Sequence, residues 1–402
     1  MRLSVGGLKG GGRITLAAGW LIDGTGAPPQ QRVVIEIEGP TLRAIGGWDA
    51  LEGLPRLPSE VIDCRGCTVI PPLVDSHVHL AFDAGTPGGA PRSAAAAEER
   101  MQQNAARLLR RGVLSVRDAG DGGGHGLRFA RRAGERGVRL HVLSTGPAFH
   151  RPGRYGALLG RALPAGCSPA GALEGERGMR GAVKIVNSGL NSLVDFGRET
   201  APQFSEEELA ALVRRASAQG LSVLVHANGR EPVARAVRAR VRSIEHGFFM
   251  GRENLAAMAE AGIAWVPTLS PMRAMAERPG ADPRERDVAR RTLDHQREQL
   301  FQARGLGVKV ALGTDAGSPG VDHGDAAVEE LGLLIASGYA VAEAVAAATA
   351  AGAELSGFGG GRLRPGAEAS LLVLEGGPAD IPESLRRIRR VFLQGEELPL
   401  PA

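Results

Sequence analysis

Cysteine, lysine and aromatic residues are all scarce in this chain of 402 residues, and each scarcity excludes something. The cysteines are Cys64, Cys67 and Cys167. An odd count argues against a disulfide framework. Cys64-Arg65-Gly66-Cys67 forms a CxxC, but a zinc ribbon needs a second pair and a thioredoxin-type site should open a helix. Thr68-Val69-Ile70-Pro71-Pro72 follows instead and reads as strand. With 4% aromatics and no dense basic run, there is little to stack on bases or grip phosphates, so nucleic acid is not an expected partner. The formal charge is only +4. No apolar run approaches the ~18 residues of a membrane span, so no membrane partner is expected. The opening Met1-Arg2-Leu3-Ser4-Val5-Gly6-Gly7 lacks the apolar core of a signal peptide, which points to a cytoplasmic protein. Of the 48 basic residues only Lys9, Lys184 and Lys309 are lysine. In a chain that otherwise uses arginine, a lysine inside an apolar strand stands out.

What is present is a globular mix, 43% hydrophobic and 23% charged, long enough for one large domain and a small one. Short β-rich runs with Gly/Pro turns occupy the start, as in Arg13–Leu16, Arg32–Ile37 and Thr41–Ile45. The end is similar, at Ser370–Leu374 and Ile388–Leu393. Both ends are read as one β-sandwich, residues 1–70 with 360–402. Between them, eight apolar runs alternate with helical patterns: Val69–Val74, Leu114–Arg117, Leu140–Ser144, Ala182–Val186, Ser222–Val225, Ser243–Glu245, Ala264–Thr268 and Lys309–Leu312. Helices are expected at Ala94–Arg111, Ser205–Gln219 and Arg284–Arg304, with Ser205 and Glu208 set as a capping box. The fold class is therefore α/β, a (β/α)8 TIM barrel over 71–359 beside the sandwich.

In such a barrel, chemistry gathers at the C-terminal ends of the strands. His77 and His79 are two apart on the first strand and share a face, so both can reach one ion. Lys184 lies inside the apolar strand Ala182–Val186. An unpaired ammonium is costly there; it snorkels, pairs with a carboxylate, or reacts with CO₂ to give a carbamate, an anion able to bridge two metals. His226, His246 and Asp315 end three more strands. Imidazole and carboxylate suit zinc and similar first-row ions. Glu245 and Thr314 flank ligands and read as supporting residues. His125, His141, His295 and His323 read as surface or packing residues.

On these stretches the chain resembles the amidohydrolase superfamily in its binuclear-metal branch. The matching pieces are Pro71–Leu80, Val183-Lys184-Ile185, Val225-His226-Ala227, Ser243–Gly247 and Gly313–Ala316, in order along a pattern spanning about 14 to 375. Pro71-Pro72 and Ala369-Ser370-Leu371 depart from the usual Pro-Gly and Ala-Asp-Leu. The resemblance implies two divalent metal ions, zinc by default, with manganese, iron or cobalt as substitutes. His77, His79 and Asp315 would hold the buried ion, carboxylated Lys184 would bridge, and His226 and His246 would hold the second. Lys184, His246 and Asp315 would be catalytic: hydroxide shared by the ions attacks the carbonyl, and Asp315 passes the proton to the leaving nitrogen.

Single-metal deaminases of that superfamily place Glu three residues after the strand-five histidine, where this chain has Gly229. Val183–Gly189 followed by Ser192, together with Ser243–Gly247, looks closer to the prolidase-like group, with imidazolonepropionase-like enzymes near. The expected activity is hydrolysis of a C–N amide bond in a dipeptide or N-acyl amino acid by a dipeptidase-like enzyme. The alternatives are a cyclic amidase, a lactonase or phosphotriesterase-like hydrolase, and a non-catalytic binding barrel. Substrate contacts are expected from His150, Arg154, Tyr155, Asn187, Asn228 and Arg273, since a carboxylate wants an Arg or Tyr donor. The Gly- and Pro-rich 147–163 loop is expected to be a mobile cover. The expected partners are a small-molecule substrate and further copies of the chain in a homo-oligomer.

Overall fold

The computed structural model describes residues 13–48, 61–85, 91, 93–133, 137–176, 179 and 181–399; Lys9 lies outside them. The chain enters through β1 (Arg13–Leu21), β2 (Gln30–Glu38), β3 (Thr41–Gly47) and β4 (Val61–Ile70). β2 pairs antiparallel with β1 and β3, and β4 pairs parallel with β1. Period-two alternation turns Val33, Ile35 and Ile37 inward onto Leu16 and Ala18.

Pro71 and Pro72 follow, and neither carries the N–H a ladder needs. The apolar run expected as one strand over Val69–Val74 is therefore split. Val69 and Ile70 end β4, and β5 (Leu73–Val78) begins a different sheet. β5, β6 (Val113–Asp118) and β7 (His141–Ser144) form a parallel three-stranded sheet. β8 (Ala148–His150), β9 (Gly160–Ala162), β10 (Ala182–Val186), β11 (Ser222–Ala227), β12 (Ser243–His246) and β13 (Ala264–Val266) form a parallel six-stranded one, in the order β13-β12-β11-β10-β8-β9.

Hydrogen bonds join the two sheets. The segment 309–316 runs between β13 and β5: Ala311 N donates to Trp265 O (2.9 Å), Ser76 N to Leu312 O (2.8 Å) and Asp315 N to His77 O (2.7 Å). Instead of the continuous strand expected at Lys309–Leu312, it makes isolated bridges at Val310 and Ala316. On the other side β7 and β8 lie either side of Thr145-Gly146-Pro147, with β7 bonded to β6 and β8 to β10. The arrangement is α/β and TIM-barrel-like. Gly313 is needed for it, because a Cβ there would run into Val266 and come within 2.9 Å of His77 Cβ.

β14 (Leu371–Glu375), β15 (Ile388–Leu393) and β16 (Glu396–Leu398) return to the free edge of β4, with Leu372 opposite Ile70. Both chain ends thus share one seven-stranded sheet. The sheet curls on itself. Thr41 of edge strand β3 bridges Glu368, just ahead of β14, although three strands separate β3 and β14 in the sheet order. Phe392, Leu371, Val373, Cys64 and Cys67 fill the enclosed core, where burial pushes the Cys64 thiol up to about 11 and leaves it unreactive.

Helices cover the parallel sheets. Glu206–Ala218 opens with the expected box, Glu208 N donating to Ser205 Oγ and Ser205 N to Glu208 Oε2. The 147–163 stretch holds β8 and β9 and is tied down where Gly122 N donates to Leu158 O and Leu163 N to His150 O. Among the described residues no helix is long and apolar enough to cross a membrane.

Candidate active site

His77 leaves β5 facing the interior, with His79 one residue past its end. Lys184 sits mid-strand on β10, His226 near the end of β11, and His246 closes β12. His246, Thr268 and Asp315 all take left-handed backbone, with φ of 68°, 47° and 57°. Such angles are uncommon for side-chain-bearing residues, and here three occur at the ends of three successive runs.

These side chains converge. His77, His79 and Asp315 each present a ligand atom within 4.8 Å of the others. Asp315 Oδ1 lies 3.5 Å from His77 Nε2 and 3.4 Å from His79 Nε2. Those separations are long for hydrogen bonds. They match donors set tetrahedrally about one ion at ~2.1 Å, which stand about 3.4 Å apart. Lys184 Nζ is 3.2 Å from His77 Nε2. The His246 ring is centred 4.9 Å from that of His77 and 4.5 Å from that of His226.

Each imidazole has its other nitrogen committed. His77 Nδ1 donates to Glu245 Oε2 (2.6 Å) and His79 Nδ1 to Gly120 O (2.7 Å). His226 Nε2 donates to Gly189 O (3.1 Å), and His246 Nδ1 pairs with Thr268 Oγ1 (2.7 Å). This is how metal-ligating histidines are oriented. His226 Nδ1 is buried with no partner, an orphaned lone pair that a cation would satisfy. Burial, reinforced by neighbouring cationic groups, holds His77 and His226 well below the usual histidine range and His246 at about 3. All three are thus neutral, as ligation requires. Burial alone would raise Asp315, but His79, His77 and His246 outweigh it and keep the carboxylate ionised. Burial pushes Lys184 down to about 8. The residues present therefore fit a divalent ion.

Behind the convergent side chains, sequence reasoning expected Glu245 and Thr314 as supporting residues but missed Arg117 and Asp75. Arg117 on β6 is 1% exposed and donates to Ser76 O (2.7 Å), Ser243 Oγ (2.9 Å) and Glu245 Oε1 (2.7 Å). Glu245, fully buried, carries that charge to His77. Asp75 accepts from His77 N, Thr314 N and Thr314 Oγ1, which locks β5 to the 309–316 segment. An arginine inside an apolar strand was the available signal, hidden by the abundance of arginine.

Above the centre lies a cavity of about 340 Å³. Tyr155 and Asn228 line it. The Tyr155 ring is 5.0 Å from that of His226. Asn228 is committed to backbone, accepting from Phe248 N and donating to Gly189 O. The other expected contacts are turned elsewhere, and the lining among the described residues excludes them. His150 is buried with Nδ1 on Arg151 O, and Arg154 donates to Ala201 O at the surface. Asn187 ties Pro232 O to Phe204 N, and Arg273 is held by Glu277 and Glu329. A larger hollow of about 950 Å³ beside β7 contains none of the six convergent side chains.

The amidohydrolase family model matches residues 68–398, most of the chain. The chain belongs to the amidohydrolase family. Amidohydrolases are hydrolases that typically use divalent metal ions, in keeping with the His77, His79 and Asp315 group. Within the family the chain falls with prolidase-like and imidazolonepropionase-like members. A solved Xaa-Pro dipeptidase with bound methionine is 27% identical, with a TM-score of 0.81 and coverage of 96% of this chain and 100% of that one. Ochratoxinase of Aspergillus niger is 28% identical, covering 90% of this chain and 81% of that protein. Imidazolonepropionase of Salinispora tropica is 28% identical, covering 82% of this chain and 83% of that protein.

Proposed function

We propose that this amidohydrolase cleaves the C–N amide bond of a small substrate, a dipeptide or N-acyl amino acid, with two divalent metal ions at the converging side chains. The carrying observation is the convergence itself: four histidines, Lys184 and Asp315, with every non-ligating imidazole nitrogen engaged. His77, His79 and Asp315 would hold one ion, and His226 and His246 the other. A carbamate on Lys184 would serve both, because the amine is buried among the ligands and carries no carboxylate partner of its own within hydrogen-bond reach among the described residues. Zinc suits the donor set, and manganese, iron or cobalt are accommodated by the same atoms. When bound, the ions supply an activated water and polarise the scissile carbonyl.

The chain's own residues do the rest. Asp315 starts anionic, accepts a proton, and delivers it to the leaving nitrogen. Ser318 Oγ donates to Asp315 Oδ2 (3.0 Å) and fixes that oxygen's direction. Tyr155 faces the cavity beside His226, placed to donate to a substrate carbonyl or carboxylate. The similarity to a Xaa-Pro dipeptidase and to an imidazolonepropionase sets the two substrate kinds to compare, open-chain and cyclic amides. The dipeptidase-like reading is favoured because the cavity offers apolar walls on both sides of the centre, suited to an open chain. We further propose a closed eight-stranded barrel over 71–359 as one unit, and residues 1–70 with 360–402 as the other. A homo-oligomer without nucleic-acid or membrane partners, in the cytoplasm, completes the reading.

The test is amino-acid release from a library of dipeptides and N-acyl amino acids, with zinc and bicarbonate supplied. Release that a chelator abolishes and zinc restores is expected. Turnover of cyclic amides, lactones or phosphoesters alone would overturn the reading. Loss of CO₂ mass on acidifying the intact protein reports the carbamate.

A further inference from the structure

The cavity wall is built from two apolar patches on opposite sides of the ring. One comes from the helix Ser270–Glu277 after β13 and the loops after 309–316 and after β5: Met272, Met275, Pro319 and Phe82. These segments abut, since a Cβ on Gly320 would sit 3.2 Å from Ala274 Cβ, and Phe82 stacks on His79 at 5.3 Å. The other comes from the loops after β8 and β10: Leu158, Leu159, Leu190 and Leu193. In strand order the two sets are separated by about half a turn; His79 and Asp315 belong to the elements of the first, Lys184 to β10 of the second, and His246 to β12 between them, all lining the same cavity.

The polar atoms in the lining are largely spent. Thr268 Oγ1 holds His246, Ser318 Oγ holds Asp315, and the Asn228 amide is tied to backbone. A polar substituent seated on Met272 and Met275 would lose its water without replacement, whereas an apolar one gains by burial; on the Leu158/Leu190 side the polar groups at hand are Tyr155 and Asn191. Leu158 and Leu190 stay 43% and 59% exposed, apolar surface that a bound group would cover.

We propose that the substrate carries a large apolar group on each side of its scissile C–N bond, one seated on the Met272/Met275 patch and the other on the Leu158/Leu190 patch. This rests on the amide hydrolysis proposed above. The residues that set specificity are then these four, and the two ends of the substrate are read independently.

The test is a two-by-two set of N-acyl amino acids of equal charge, acetyl or 3-phenylpropanoyl joined to glycine or phenylalanine, measured as kcat/KM on the zinc-loaded enzyme. Each phenyl group should raise kcat/KM at least about tenfold, and the two gains should multiply. Met272→Ser with Met275→Ser should shrink the gain at one end, and Leu158→Ser with Leu190→Ser the gain at the other. Leu158 and Leu190 are exposed enough for that second pair to fold. Cleavage of all four substrates at similar rates overturns the proposal and leaves amide hydrolysis standing. So does a gain from one end alone, or both variant pairs acting on the same end. No cleavage of any member overturns this proposal, and the dipeptide and N-acyl amino acid library then shows whether amide hydrolysis falls with it.

Discussion

Arg117→Met should be among the most damaging substitutions outside the ligand set. Arg117 and Glu245 are 1% and 0% exposed, and Nη2 meets Oε1 at 2.7 Å. Removing one partner of such a pair strands a buried charge and costs about 3–5 kcal/mol. Here the stranded group is Glu245, which also orients His77. At about 2 cal/mol/K per residue, a chain of this length would lose roughly 4–6 °C in melting temperature if it unfolds cooperatively. The informative comparison is the double variant Arg117→Met/Glu245→Gln. It removes both charges, and the substituted amide keeps an oxygen to accept from His77 Nδ1. It should recover most of the loss in denaturant unfolding and regain zinc binding by metal analysis. Glu245→Gln alone should also be destabilising, because Arg117 is then the unpaired ion. The reasoning fails if Arg117→Met unfolds within about 1 kcal/mol of the parent, or if the double variant is no more stable than the worse single one.

Asp315→Asn should lower kcat by at least about a hundredfold, because Asn keeps the shape and loses the proton acceptor; stopped assays on parent and variant at matched zinc content check it. Tyr155→Phe should cut kcat/KM by about tenfold on the preferred amide and leave zinc content unchanged. Glu330 sets a pH slope. Burial pushes it from the ordinary 4.5 up to about 8, over the opposing donations from Ser270 Oγ, Leu269 N and Ser270 N. The folded chain therefore keeps a proton that the unfolded chain releases, so this contribution is full below about 4.5 and is lost as pH rises through about 8. Glu330→Gln should flatten the slope of stability against pH in that window. An unchanged slope would show that Glu330 is ionised when folded.

The convergence of the side chains proposed as ligands was legible because ligation constrains residue type and position together. His77 and His79 share a face by strand periodicity, and Lys184 betrayed itself by lying in an apolar strand of a lysine-poor chain. Substrate contacts were not legible in the same way. Arg154 and Arg273 have the right chemistry, but their directions depend on partners, Ala201 O for one and Glu277 with Glu329 for the other, contributed largely by other segments. The course of the terminal strands was not legible for a related reason. Alternation reveals which residues face inward, but whether seven strands stack or curl is decided by the meeting of Thr41 with Glu368. The break at Pro71-Pro72 was legible in principle, since two residues without N–H cannot lie mid-ladder.

The pairing of β4 with β14 also orders events during synthesis. Thr68 Oγ1 donates to Gly376 O, 308 residues further along. β1 to β4 leave the ribosome early, yet one edge of β4 finds its partner only after all the intervening parallel strands have been made. Until then that edge is open to foreign strands, the hazard of non-local β pairing. Pro71 and Pro72, which follow its last residues, blunt the end of that edge by denying a visitor two donors. The early strands thus act as a clasp that closes only once β14 has been made, after every side chain proposed to hold metal.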